Sequence, residues 1–217
     1  MAQASLILTR TSIARKITMA LSGLFLIVFL LTHLSINLLT LVSADAFNAA
    51  SHFMGTNPVI QVMQYVLAAG FILHIGMGIY LNRQNQAART QKYAYTKPEA
   101  NSSWMSRNMV LTGITVLLFL VIHMRNYFYE MKFGDLGGYS SDYELVVSLF
   151  DIWYYTALYV VSFVLLALHL FHGFQSAFQS MGWNHPRYTP WIKKTGYAYA
   201  LVVPAGFAII ALYHFFV

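Results

Sequence analysis

Cysteine is absent from all 217 residues, and charged side chains make up only 9% of the chain. Without cysteine there is no disulfide framework, no thiolate metal site and no covalent cofactor attachment through a thioether. The charge content is far below the roughly 25% of an ordinary soluble domain. Acids are scarcest, seven in all, and none lies within the interior of a long apolar stretch. A proton path built on carboxylates across such stretches is therefore not expected.

What is present is apolar: 58% hydrophobic residues, 16% aromatic, and a mean hydropathy of +0.56. A membrane span needs about 20 such residues. Five stretches qualify, at about 17–42, 58–81, 105–129, 151–181 and 192–217. They use most of the chain, so the expected fold is all-α: one integral membrane bundle of five transmembrane helices, 1–217, without a soluble domain. The first stretch is too long for the apolar core of a cleaved signal peptide, usually about 7–15 residues, and is expected to be retained. Pro204 in the fifth stretch marks a tolerated kink. No internal repeat or low-complexity segment stands out.

Eleven of the thirteen basic residues collect at one set of span ends: Arg10, Arg15 and Lys16; Arg83, Arg89, Lys92, Lys97 and Arg107; Arg187, Lys193 and Lys194. Six of the seven acids, Asp45, Glu130, Asp135, Asp142, Glu144 and Asp151, lie at the other set. The positive-inside rule puts the basic side, with the N-terminus, in the cytoplasm and the C-terminus outside. Trp104, Trp153, Trp183 and Trp191 all fall at span ends, where amphipathic rings belong. The net charge of +6 thus follows topology, and no nucleic-acid partner is expected.

Four histidines, His33, His74, His123 and His169, sit inside four different spans. An ionisable group in a span is costly and marks function by default. His33 lies ten residues before Ser43 and His123 seven before Glu130, about 10–15 Å below the outer end at ~1.5 Å per residue. His74 lies sixteen residues after Pro58 and His169 eighteen after Asp151, about 24–27 Å down. The depths pair off, His33 with His123 and His74 with His169. Two pairs read as axial ligands of two b-type haems, and an iron with two histidines suits electron transfer because neither axial position is open. His172, one turn from His169, competes as a ligand.

Gly78 and Gly173 each follow an inner histidine by four residues, on the same helix face, and leave room for a porphyrin edge. Asn37 and Tyr127 hold that offset beside the outer pair, within reach of an outer haem. Arg125 is a candidate propionate partner or a snorkelling interface residue. Ser12, Arg15 and Lys16 at the inner entry to the first span are equally explained by topology. His52, His185 and His214 are expected in loop, surface or capping roles.

The first-span run Leu21-Ser-Gly-Leu-Phe leading to His33-Leu-Ser-Ile-Asn37, the loop Ala46-Phe-Asn-Ala-Ala-Ser-His-Phe-Met54, His74-Ile-Gly-Met-Gly78, Thr112-Gly-Ile-Thr with His123, and His169-Leu-Phe-His-Gly173 occur in an order that carries a resemblance. Over nearly its whole length the chain resembles the single-chain, five-helix, di-haem cytochrome b membrane anchors of succinate dehydrogenases and fumarate reductases. The resemblance implies that His33, His74, His123 and His169 bind two haem b groups, with His169 rather than His172 in the fourth position. It implies a flavoprotein with FAD and an iron–sulfur protein on the cytoplasmic face, a quinone, most often menaquinone, as redox partner, and a place in a bacterial cytoplasmic membrane. The chain would then be a subunit of an oxidoreductase without the dicarboxylate site. Some fumarate reductases of the family carry a proton-moving glutamate two residues before the fourth ligand; Ala167 stands there. Rival readings are the haem-b subunit of a membrane hydrogenase or formate dehydrogenase, whose motif order fits less well, and a small transporter with histidine proton relays, which would want acids and broken helices in the spans.

Overall fold

The computed structural model describes residues 11–87 and 104–217; Arg10, Arg89, Lys92 and Lys97 of the basic clusters lie outside them. The described residues are mostly helical, joined by short turns, with no strand among them. In lipid a backbone must satisfy its own polar groups, and an unbroken helix does so within one segment. Five helices are long and apolar enough to cross a membrane.

Helix α1 (Ser12–Asn37) opens on Thr11, whose hydroxyl accepts the Ala14 amide at 3.1 Å, and tightens into a 3₁₀ turn at Leu38–Leu41. Helix α2 (Ala44–Thr56) occupies what composition alone marks as an outer loop. Ser43 caps it through the Ala46 amide, and Asp45 sits at the positive end of its dipole. Helix α3 (Pro58–Ala87) starts with proline in the first turn, where no amide is needed, while the Asn57 side chain accepts from Val59 and Ile60. Helix α4 (Met109–Lys132) follows a helical turn at Trp104–Arg107 and passes through a π-helical segment, Met124–Tyr129, directly after His123. Helix α5 (Asp142–Ser148) is capped by Ser141. Just before it, the Ser140 amide and hydroxyl both donate to Glu144, holding that carboxyl below its ordinary value. Helices α6 (Trp153–Ser180) and α7 (Thr189–Phe216) complete the chain.

Packing defines how the long helices stand. The α6–α7 contact is the most extensive; α1 packs against α3, α6 and α7, and α4 packs against α6. Helices α1 and α4 do not run packed against each other, and neither do α3 and α6. These two pairs stand on the diagonals of the four-helix group. Close approach elsewhere depends on small residues, as membrane helix packing generally does. A Cβ on Gly196 would stand 2.7 Å from the Phe174 ring between α7 and α6, and one on Gly70 would stand 2.8 Å from Phe25 between α3 and α1.

The densest core lies toward the end of the bundle that carries α2 and α5. Leu34, Phe47, Val146, Tyr159, Phe163 and Phe207 belong to one buried cluster joining those short helices to α1, α6 and α7. Polar groups inside it are paired: the Tyr199 hydroxyl donates to the Ile27 carbonyl at 2.6 Å, and Thr156 donates to Phe150 at 2.7 Å. Burying such groups unpaired would cost about 1–3 kcal/mol each. Helix α3, by contrast, buries little beyond Gly70.

Candidate functional site

The four span histidines meet two by two across the diagonals. The ring centroids of His33 on α1 and His123 on α4 are 5.7 Å apart, with planes at 86°. Those of His74 on α3 and His169 on α6 are 6.4 Å apart, with planes at 76°. The pairs lie at two levels. Ser22, which touches His74, precedes His33 by eleven residues on α1, about 16 Å of helix rise.

At the inner level the rings are held by hydroxyls. Ser22 Oγ donates to the Met19 carbonyl at 3.0 Å and lies 3.3 Å from His74 Nδ1. Thr112 Oγ1 donates to the Met109 carbonyl at 3.0 Å and lies 3.4 Å from His169 Nδ1. With its one proton committed to the carbonyl, each hydroxyl faces the imidazole as an acceptor, so Nδ1 carries the ring hydrogen and Nε2 keeps its lone pair. The adjoining glycines make the approach possible. A Cβ on Gly23 would lie 3.3 Å from His74 Cε1, and one on Gly113 would lie 3.4 Å from His169 Cε1.

At the outer level the rings are held by aromatic packing. Phe29 stacks on His33 at 5.4 Å and Phe207 lies at 5.6 Å, while Phe119 and Tyr127 lie 5.7 and 5.3 Å from His123. His123 Nδ1 is buried without a hydrogen-bond partner. The Asn37 amide turns back to donate to the His33 carbonyl at 2.8 Å, with His33 Nδ1 at 3.5 Å.

This geometry also reveals a repeat. Met19, Ser22, Gly23 and His33 on α1 have the same spacing as Met109, Thr112, Gly113 and His123 on α4. His74 and Gly78 on α3 likewise match His169 and Gly173 on α6. The hairpins α1–α3 and α4–α6 thus use the same positions in the same roles. Too few residues coincide for the repeat to stand out in sequence. A carboxyl-free pair of imidazoles per level is all each hairpin pair supplies; among the described residues no group of three or more His, Cys, Asp or Glu comes together.

Other expectations shift in detail. The space over Gly78 and Gly173 holds the Met19 and Met109 methyls, 3.7 and 3.5 Å from an added Cβ, soft groups that can move. Tyr127 is buried, its hydroxyl directed at the Val146 carbonyl, 3.5 Å away. Arg125 is exposed, paired with Glu130, and lies over the Tyr129 ring at 4.6 Å. Arg15 bonds Tyr80 and Gln84, tying α1 to α3 at the inner end. His52, on helix α2 rather than in a loop, and His185 are both exposed. His214 is not a surface residue: it is buried, and its Nε2 lies 3.1 Å from Thr40 Oγ1, which itself donates to the Asn37 carbonyl.

Fold and site together define a multi-pass helical membrane protein with two levels of paired histidines. The chain is similar to the succinate dehydrogenase cytochrome b558 subunit of Bacillus subtilis (strain 168), 24% identical over 152 residues, which is 69% of either chain. No family model matches it. No solved structure matches it either.

Proposed function

We propose that the chain is the membrane anchor and di-haem cytochrome b subunit of a succinate:menaquinone oxidoreductase, a succinate dehydrogenase or fumarate reductase. The observation that carries this reading is the meeting of four span histidines in two pairs across helices that do not pack together. The relative's name supports the coarser part of it, a succinate dehydrogenase cytochrome b subunit.

The residues fit two haem b groups. At each level two imidazoles stand close enough, 5.7 and 6.4 Å between centroids, that both could hold one metal ion between them. The inner imidazoles present Nε2 lone pairs because their Nδ1 atoms face acceptors. The orphaned Nδ1 of His123 belongs to a ring whose environment is incomplete as protein alone. When bound, two such haems supply one-electron carriers between an iron–sulfur partner and a membrane quinone.

The protein's own part is binding, orientation and exclusion of water. His74 and His169 would hold the inner group, and His33 and His123 would hold the outer one. Phe29, Phe119, Tyr127 and Phe207 keep the outer level dry. With the basic ends in the cytoplasm, Arg15, Lys16, Arg107, Arg187, Lys193 and Lys194 form the side on which the iron–sulfur and FAD-bearing partners dock, and the bundle spans a bacterial cytoplasmic membrane as a single unit.

A dithionite-reduced minus oxidised spectrum of the purified complex, with haem extracted and counted, tests this. Two b-type haems per chain are expected; one would dissolve the two-pair assignment, and none would end the electron-transfer reading.

A further inference from the structure

The outer pair is gripped by aromatic rings, whereas the inner pair is gripped by two hydroxyl groups at matching positions of the two hairpins. We propose that Ser22 and Thr112 are the positioning residues of the inner pair, each accepting the Nδ1–H of the histidine on the partner helix of its own hairpin. They thereby set the tautomer, the ring orientation and the electron-donating strength of His74 and His169 toward the metal. This rests on the di-haem reading and deepens it.

Three features converge. First, each hydroxyl lies 3.0 Å from the carbonyl three residues back, Met19 or Met109, to which it donates, and that arrangement leaves its lone pairs for the Nδ1–H. Second, the contact distances, 3.3 and 3.4 Å, are long but nearly equal in two independently encoded places ninety residues apart. Third, the next residue in each case is the glycine over which the imidazole Cε1 lies, at 3.3 or 3.4 Å from where a Cβ would stand. A side chain at Gly23 or Gly113 would push the ring off the hydroxyl, so hydroxyl and glycine act as one two-residue seat. Ser22 and Thr112 are themselves buried, so neither hydroxyl has bulk water to turn to.

An imidazole that donates from Nδ1 is a stronger electron donor through Nε2, and such outer-shell bonds both orient a metal-bound histidine and tune its metal. A more basic axial ligand favours the oxidised iron, so loss of the bond raises the midpoint potential. The two sites are not equivalent. The Met19 carbonyl also faces the His74 ring and can take over part of the bond when Ser22 is replaced.

The test uses the purified holo-complex with Thr112→Val, Ser22→Ala and the conservative Thr112→Ser and Ser22→Thr. Potentiometric titration of the haem bands and EPR of the oxidised haems are the readouts, with His74→Tyr identifying which signal belongs to the inner level. Expected are a positive shift of the inner haem's potential and a change in its EPR signature in Thr112→Val, a smaller shift in Ser22→Ala, an unmoved outer haem, and restoration by the conservative pair. Two haems with unchanged potentials and spectra in Thr112→Val and Ser22→Ala would overturn the inference and leave the di-haem reading standing. Equal movement of both haems would overturn it as well, showing a general loosening of the bundle. A wild-type complex without haem would take down both.

Discussion

The inner and outer histidine pairs use the same side chains on matching positions of two hairpins, yet the protein secures them by different physics. At the inner level a small hydroxyl residue and a glycine on one helix receive a ring from the next. At the outer level Phe29, Phe119, Tyr127 and Phe207 surround the rings, α2 and α5 close the end of the bundle, and the His123 Nδ1 finds no acceptor. Polar contact fixes tautomer and direction; aromatic packing fixes position and excludes water while leaving the ring nitrogen unsatisfied. Two sites built from one duplicated plan can therefore give one ligand set two different properties.

The strongest way to break this comparison is to cross the pairs. Replacing His33 and His123 together by alanine removes one level and is expected to leave one haem per chain, as is replacing His74 and His169 together. Replacing one from each level, His33 and His74, is expected to leave none. Haem counts that do not follow this pattern would mean that the pairs are wrongly drawn. A narrower effect separates the two seats. Gly113→Leu places a branched side chain where even a Cβ is 3.4 Å from His169, and should cost the inner haem while the outer one stays, read by haem count and reduced-minus-oxidised spectrum. The smallest effect concerns the outer end alone. Thr40→Val leaves the buried His214 Nε2–H without its acceptor, at a cost of about 1–3 kcal/mol, which should lower the thermal unfolding midpoint with both haems retained.

Much of this arrangement could be read from one-dimensional pattern. The five long apolar stretches, interrupted by basic and acidic clusters, correspond to five membrane-length helices because lipid leaves a spanning backbone few alternatives. Counting helical rise from polar span ends already sorted the histidines by depth, since depth along a straight helix is nearly linear in sequence. The motifs Ser22-Gly23 and Thr112-Gly113 were visible as words without a role, because nothing local says which histidine they will face. His214 shows the reverse error: a position near a helix end suggests water, but α1 ends beside it and Thr40 supplies an acceptor. Helix α2 falls in a stretch that reads as loop because its polar face masks a short amphipathic segment whose cap, Ser43, is a weak signal.

The sequence by itself determined the five apolar stretches of membrane-spanning length and the position of each histidine along its helix, both consequences of hydropathy and the constant rise of a helix. Only the tertiary structure decided which helices stand on the diagonals, which ring nitrogens meet hydroxyls and which meet aromatic faces, and that two hairpins repeat one another. Those outcomes depend on lateral packing, where contacts form between residues scores of positions apart and no local periodicity records them.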